Sequence, residues 1–272
     1  MGKLIACESL GQAWVVAARH LAGCKDRKDR NLVLEISDPP KLSKDDMTII
    51  RAVDALLRKS RKDLSIETVA STIFPNGLAK RFARPELYKN YLELLAKGKK
   101  RSSWGTYAQR MMSRPSRSGT GTINPLDDLI ERLLQTHTGT KYQSAYELGV
   151  SDPDIDLAPP LDGHGYELPV FDPARDAKPL NVPCLSHLSF KLTDGKLDLT
   201  AIYRSQWYCQ RALGNLVGLS QLHSFVGKES KYECGTLTCI ATHAYLDRET
   251  FGNVGVTNDL LASLPRWEAS LQ

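Results

Sequence analysis

The chain has 272 residues, 42% of them hydrophobic, with 36 basic and 31 acidic side chains and a formal net charge of +5. That length and apolar content fit one large domain with a sizeable core, and no run of about 18 apolar residues offers a transmembrane helix. The charge excess is mild and does not by itself mark a nucleic-acid-binding protein.

In chain order, MGKLIACESLGQAWVVAARHLAG carries one lysine and then an amphipathic pattern broken by Glu8, Gln12, Arg19 and His20. This is unlike a signal peptide and predicts a folded first helix over 8–23. NLVLEISDPP predicts a short strand, Leu32 to Ile36, ended by two prolines. Met47, Ile50, Val53, Leu56 and Leu57 predict a helix over 44–60, and IETVASTIFP predicts a buried helix stopped by Pro75 and Gly77. Tyr88 to Leu95 predicts another. Between Lys97 and Arg117 basic residues interleave with Trp104 and Tyr107. A solvated loop and helix face is favoured there over a nucleic-acid groove, and small anions such as nucleotide phosphates are a third use.

SRSGTGTINP, residues 116–125, reads as a turn-rich connection, because Gly119 and Gly121 lack the GxxxxGK[ST] phosphate-loop pattern. LDDLIERLLQ is strongly helical in spacing. Residues 151–180, rich in Pro, Asp and Gly, read as a loop-rich excursion inside a single domain spanning 1–272. Ser186 to Leu192 and Leu197 to Tyr203 alternate about Asp194-Gly195, a hairpin signal. Tyr208 to Val226 predicts a helix, and Gly235 to Leu246 a further strand. The sum is an α+β architecture, helices on a mixed, mostly antiparallel sheet. The six cysteines (7, 24, 184, 209, 234 and 239) show no CxxC pair and no compact spacing with histidine. The expectation is therefore no metal site and no disulfide framework, but reduced thiols in a cytoplasmic protein.

Three places after residue 180 carry chemistry. Cys184 follows Pro183 at a strand start, Arg204 and Ser205 end the partner strand, and His243 and Tyr245 share a face of the last strand. Counting from the turn, Cys184 and Arg204 face one another, which puts a cation beside the thiol and should lower its pKa from the ordinary value of about 8.5, raising the thiolate fraction. Each residue alone reads more readily as structural than catalytic.

Together they carry a resemblance. PCLSHLSFKLTDGKLDLTAIYRS, residues 183–205, resembles the central block of the thymidylate synthase superfamily, in which Pro-Cys opens a strand and Arg-Ser ends the next. The interval from Cys184 to Arg204 matches without a gap. Asn215 stands where that family has its pyrimidine-reading asparagine, and His243-Ala244-Tyr245 matches its His-x-Tyr. WGTYAQRM, the helix from Asn124 to Gln135 and KYQSAYELG resemble the family more weakly, so the resemblance covers about 104–247.

The resemblance implies a three-layer fold and transfer of a methyl or hydroxymethyl group to C5 of a pyrimidine mononucleotide, dUMP-like or UMP-like. Cys184 would be the nucleophile and Glu67 the general base. Arg204 and Ser205 would bind the phosphate, with Lys141 nearest to the arginines the family takes from a partner subunit. Asn215 would read the base, and His243 and Tyr245 the sugar. It further implies 5,10-methylenetetrahydrofolate as cofactor and a homodimer with sheets face to face, with no membrane or nucleic-acid partner. Departures fall on the folate side: Leu185 replaces a histidine, Trp207 an aspartate, and QRALG the family's Leu-Gly-x-Pro-Phe, while the sequence ends in SLPRWEASLQ without a folate-closing segment. The alternative is a nucleotide-binding or regulatory protein without turnover. A cysteine hydrolase using Cys184 with His187 or His243 is weaker, since His187 should face the other side of the sheet.

Overall fold

A computed structural model describes residues 2–98, 105–116, 120–139, 146–148 and 183–267. The strands among them are β1 (Leu4–Cys7), β2 (Lys28–Ile36), β3 (Arg114–Pro115), β4 (Thr122–Ile123), β5 (Glu147–Leu148), β6 (Leu185–Thr193), β7 (Lys196–Tyr203), β8 (Gln206–Trp207) and β9 (Glu233–Tyr245). The helices are α1 (Leu10–Gly23), α2 (Lys44–Ser60), α3 (Ile66–Ile73), α4 (Asn76–Ala79), α5 (Glu86–Lys97), α6 (Tyr107–Met112), α7 (Pro125–Gln135), α8 (Leu213–Ser230) and α9 (Val254–Ser263). The sheet runs β1-β2-β9-β7-β6-β5, with β8 also paired to β9, while β3 and β4 make a separate ribbon. β9 is antiparallel to β2 and parallel to β7, so the sheet is mixed and the fold α+β, as the sequence implies.

Period-two alternation gives the sheet two unlike faces. Leu32, Leu34, Leu199, Ala201, Leu237 and Cys239 are buried beneath α1 and α8, whereas Val33, Thr200, Ile202, Thr238 and Ile240 on the reverse face are partly exposed. The predicted hairpin forms at Asp194 and Gly195, both at positive φ (50° and 80°), as a two-residue turn matching the strand twist requires. The first helix also forms, but β1 precedes it where the sequence reading places no strand. Four residues are too few to show a period, and pairing with β2 (Leu4↔Val33) decides their conformation.

One carboxylate organises two helix starts. Asp46 is 1% exposed and accepts from Ser43 N (2.8 Å) and Ser43 Oγ (2.5 Å) at the start of α2, and from Ser9 Oγ (2.6 Å) and Gly11 N (2.8 Å) at the start of α1. It thereby satisfies donors that helix geometry leaves orphaned. α8 is pressed between α3 and the sheet. A Cβ on Gly214 would lie 2.6 Å from Val69 Cβ, and one on Gly218 2.7 Å from the Ala70 carbonyl oxygen, so α3 and α8 meet where α8 lacks side chains. Among the described residues, no helix is long and apolar enough to cross a membrane. The 151–180 excursion lies outside the described residues.

Candidate active site at the Cys184 corner

The expected facing of Cys184 and Arg204 is present: the Arg204 backbone N–H donates to the Cys184 carbonyl at 2.8 Å, and the Arg204 guanidinium donates to the Pro183 carbonyl. A third element fixes this corner. Tyr107, at the start of α6, accepts through its hydroxyl from the backbone N–H groups of Cys184 (3.1 Å) and Leu185 (3.4 Å). The strand pairing then slips by one residue between Leu185 and His187, with Ser186 Oγ donating to the Ile202 carbonyl at 2.9 Å. This bulge ends the hairpin's regular alternation just before the thiol.

Burial pushes the half-buried Cys184 thiol above the ordinary thiol range, while Arg204 and then Arg211 pull it down. The expectation that Arg204 would lower the thiol pKa is thus corrected in its outcome: the cation acts in that direction, but desolvation is larger. Arg211 lies in the tight turn Tyr208–Ala212 that leads into α8, and it interacts electrostatically with Tyr107 as well as Cys184. Sequence reasoning misses it, although the arginine inside QRALG is the available signal. Asp247 holds that turn by accepting from Cys209 N (2.8 Å), Gln210 N (3.2 Å) and Thr250 Oγ1 (2.6 Å), and burial raises its pKa to about 6.

Ser205 and His243 are brought together, Oγ to Nδ1, at 3.4 Å. Tyr245 lies two residues further along β9 and is engaged elsewhere: its hydroxyl donates to Glu249 at 3.3 Å and accepts from Arg27 at 3.5 Å, and its ring meets Trp207 edge-on at 6.2 Å. Asn215, in the first turn of α8, is 5% exposed. Glu67 is exposed in the first turn of α3. The neighbouring Ile66 carbonyl would lie 3.2 Å from a Cβ on Gly214, so Glu67 and Asn215 leave from adjoining turns of α3 and α8. Lys141 lies outside the described residues. His187 is bonded to Glu147 Oε2 at 3.0 Å across β5 and β6, which occupies it away from the thiol.

Other polar atoms are buried without a hydrogen-bonding partner among the described residues, including the hydroxyls of Tyr203 and Tyr208 and Gln206 Oε1. Tyr203 is coupled electrostatically to Cys239, Tyr107 and Cys184, so it lies behind the same corner.

No protein-family model matches the chain. Curated proteins do. A "Putative thymidylate synthase" of Methanosarcina barkeri is 28% identical over 141 residues, 52% of this chain and 52% of that protein. One of Methanocaldococcus jannaschii is 28% identical over 163 residues, 59% of this chain and 64% of that protein. One of Methanothermobacter thermautotrophicus is 36% identical over 77 residues, 28% of this chain and 35% of that protein. These similarities are consistent with a divergent member of the thymidylate synthase superfamily. The chain spans about half the length of the Methanosarcina relative it matches.

Proposed function

We propose that the chain binds a pyrimidine mononucleotide and attacks C6 of its base with Cys184. The reading is supported by a tethered thiol facing Arg204, by the adjoining Ser205–His243 pair and by a buried asparagine at the start of α8. A phosphate suits Arg204 and Ser205, with Lys141 assigned to it by the resemblance. An amide both donates and accepts, so Asn215 matches the O4 and N3–H edge of uracil. His243 and Tyr245 are assigned to the sugar hydroxyls.

In the proposed reaction the Cys184 proton leaves, Sγ bonds to C6, and the C5–C6 π pair shifts toward C5 and O4. C5 then attacks the donor carbon, either displacing its leaving group with the bonding pair (methyl transfer from a methyl donor) or pushing the π pair of a formaldehyde-level carbonyl onto oxygen, which takes a proton (hydroxymethyl transfer); Glu67 takes the C5 proton, and expulsion of Sγ restores the double bond. Because burial raises the thiol pKa, loss of that proton depends on Arg204 and Arg211 being close when the nucleotide is bound.

The family reading implies 5,10-methylenetetrahydrofolate as donor. The residues at the corresponding positions do not fit it: Leu185 is fully buried and apolar, Trp207 is 47% exposed where the family has a carboxylate, and Arg211 interrupts the glycine-containing segment. No step is therefore routed through a folate, and methyl and hydroxymethyl transfer both remain within the proposal. The partly exposed face of the sheet is assigned to a second copy of the chain, in a homodimer.

The test is mass spectrometry of the folded protein with a 5-fluoro pyrimidine nucleotide and one-carbon donor supplied. A covalent adduct on Cys184 is expected, and its absence would count against the proposal. A thermal-shift panel of UMP, dUMP, CMP and dCMP reports the substrate class, since a ligand of the folded state raises its stability with affinity. The raised thiol pKa favours a second reading, nucleotide binding without turnover. Calorimetric binding that survives Cys184→Ala, with no product from any donor, would select it.

A further inference from the structure

We propose that His20, Cys24 and Asp29 form a binding site for a zinc-class divalent cation. A separation of four looks loose in the linear sequence, yet on a helix it is about one turn. His20 and Cys24 stand at i and i+4 at the end of α1, on one face, and Asp29 reaches them from β2. His20 Nε2 lies 2.6 Å from Asp29 Oδ2 and 3.5 Å from Cys24 Sγ, and the three donor atoms all lie within 4.8 Å of one another.

Which kind of site this is follows from the ring nitrogen used. A cysteine–histidine–aspartate proton relay needs its two partners on opposite nitrogens of the imidazole. Here both meet Nε2, so the ring cannot pass a proton between them. Three donors of mixed sulfur, nitrogen and oxygen type that converge on one point instead suit a cation. The spacing agrees: bonds of about 2.3 Å to sulfur and about 2.0–2.1 Å to nitrogen, at a tetrahedral angle, put the two donors about 3.5 Å apart. The Asp29 oxygen would have to move back by less than about 1 Å from its hydrogen bond to take a third vertex.

Two other features point the same way. Cys24 is the C-cap of α1, where the last carbonyls carry partial negative charge that favours a cation, and a thiolate, a carboxylate and a neutral imidazole balance a dication. Two cations of the same loop are drawn elsewhere: Arg27 to Tyr245 and Glu249, and Lys28 to the Tyr245 ring. His20 and Asp29 are 28% and 20% exposed at their side chains, which leaves a fourth vertex open to water.

The experiment is titration of the metal-free full chain with Co2+. One equivalent should produce a sulfur-to-cobalt charge-transfer absorption in the near ultraviolet. It should be lost in Cys24→Ser and in His20→Gln, and retained in Cys184→Ala, with circular dichroism confirming that each variant is folded. In the unmodified chain, Zn2+ should slow alkylation of Cys24 while leaving that of Cys184 unchanged, as read by peptide mass spectrometry. Absence of the absorption, its persistence in Cys24→Ser, or failure of Zn2+ to protect Cys24 would overturn the proposal and leave a histidine–aspartate ion pair.

Discussion

Asp46 and the Cys184 corner both bury polar groups, but the two regions are built on opposite rules. At Asp46 one carboxylate takes four hydrogen bonds from two helix starts, and its neighbours' donors are used up in the process. The hydroxyl of Tyr203, behind Cys184, and the Tyr208 hydroxyl and Gln206 carbonyl oxygen, by Cys239, have no hydrogen-bonding partner among the described residues. A buried polar group without a partner costs about 1–3 kcal/mol, so folding alone selects against such a cluster. The satisfied cluster holds two helices together; the unsatisfied atoms do no such work for the fold.

The contrast can be broken experimentally, and Asp46 offers the largest effect. Asp46→Ala strands the Ser9 hydroxyl and the Gly11 and Ser43 N–H groups, and urea unfolding should show a loss of about 3 kcal/mol or more. A loss below about 1 kcal/mol would mean that this carboxylate is not what joins α1 to α2.

On the site side its counterpart is Asp247, which accepts three hydrogen bonds yet has its pKa raised from 3.8 to about 6 by burial. Because the folded-state pKa is the higher one, this contribution to stability is complete below about pH 4 and is lost as the pH rises through about 6. The expected size is up to about 3 kcal/mol, and Asp247→Asn should flatten that part of the pH–stability curve relative to the unmodified chain. A curve of unchanged slope would show that the carboxyl titrates as it does when unfolded. The smallest effect is expected at the unmatched hydroxyls. Tyr203→Phe should raise stability by about 1 kcal/mol, because no bond is lost and the burial cost of the hydroxyl is removed. A cost above about 1.5 kcal/mol would reveal a partner for that hydroxyl and weaken the contrast with Asp46.

What can be read from the sequence is whatever is local or fixed in spacing. Asp194-Gly195 names its own turn, and the equal distances of Cys184 and Arg204 from it place them opposite each other. The pairing of Ser205 with His243 follows from β8 and β9 lying side by side, which spacing alone does not show. The remainder depends on groups far apart in the chain. The Tyr107 hydroxyl that tethers Cys184 comes from 77 residues away, and Asp46 reaches Ser9 across 37. The bulge at Ser186 leaves no compositional mark, and the excess of burial over Arg204 at the thiol is a property of the surrounding packing.

Gly214 has one more consequence. Its missing methyl lets the start of α8 rest on the Ile66 carbonyl and the Val69 side chain, in the same turns that carry Asn215 and Glu67. The gap between the amide assigned to the base and the carboxylate assigned to the proton is therefore gauged by backbone thickness and by neither side chain. Such a gauge cannot be adjusted in small steps: Gly214→Ala would spread the two functions apart together, and the smallest available change at that position is already a whole methyl group.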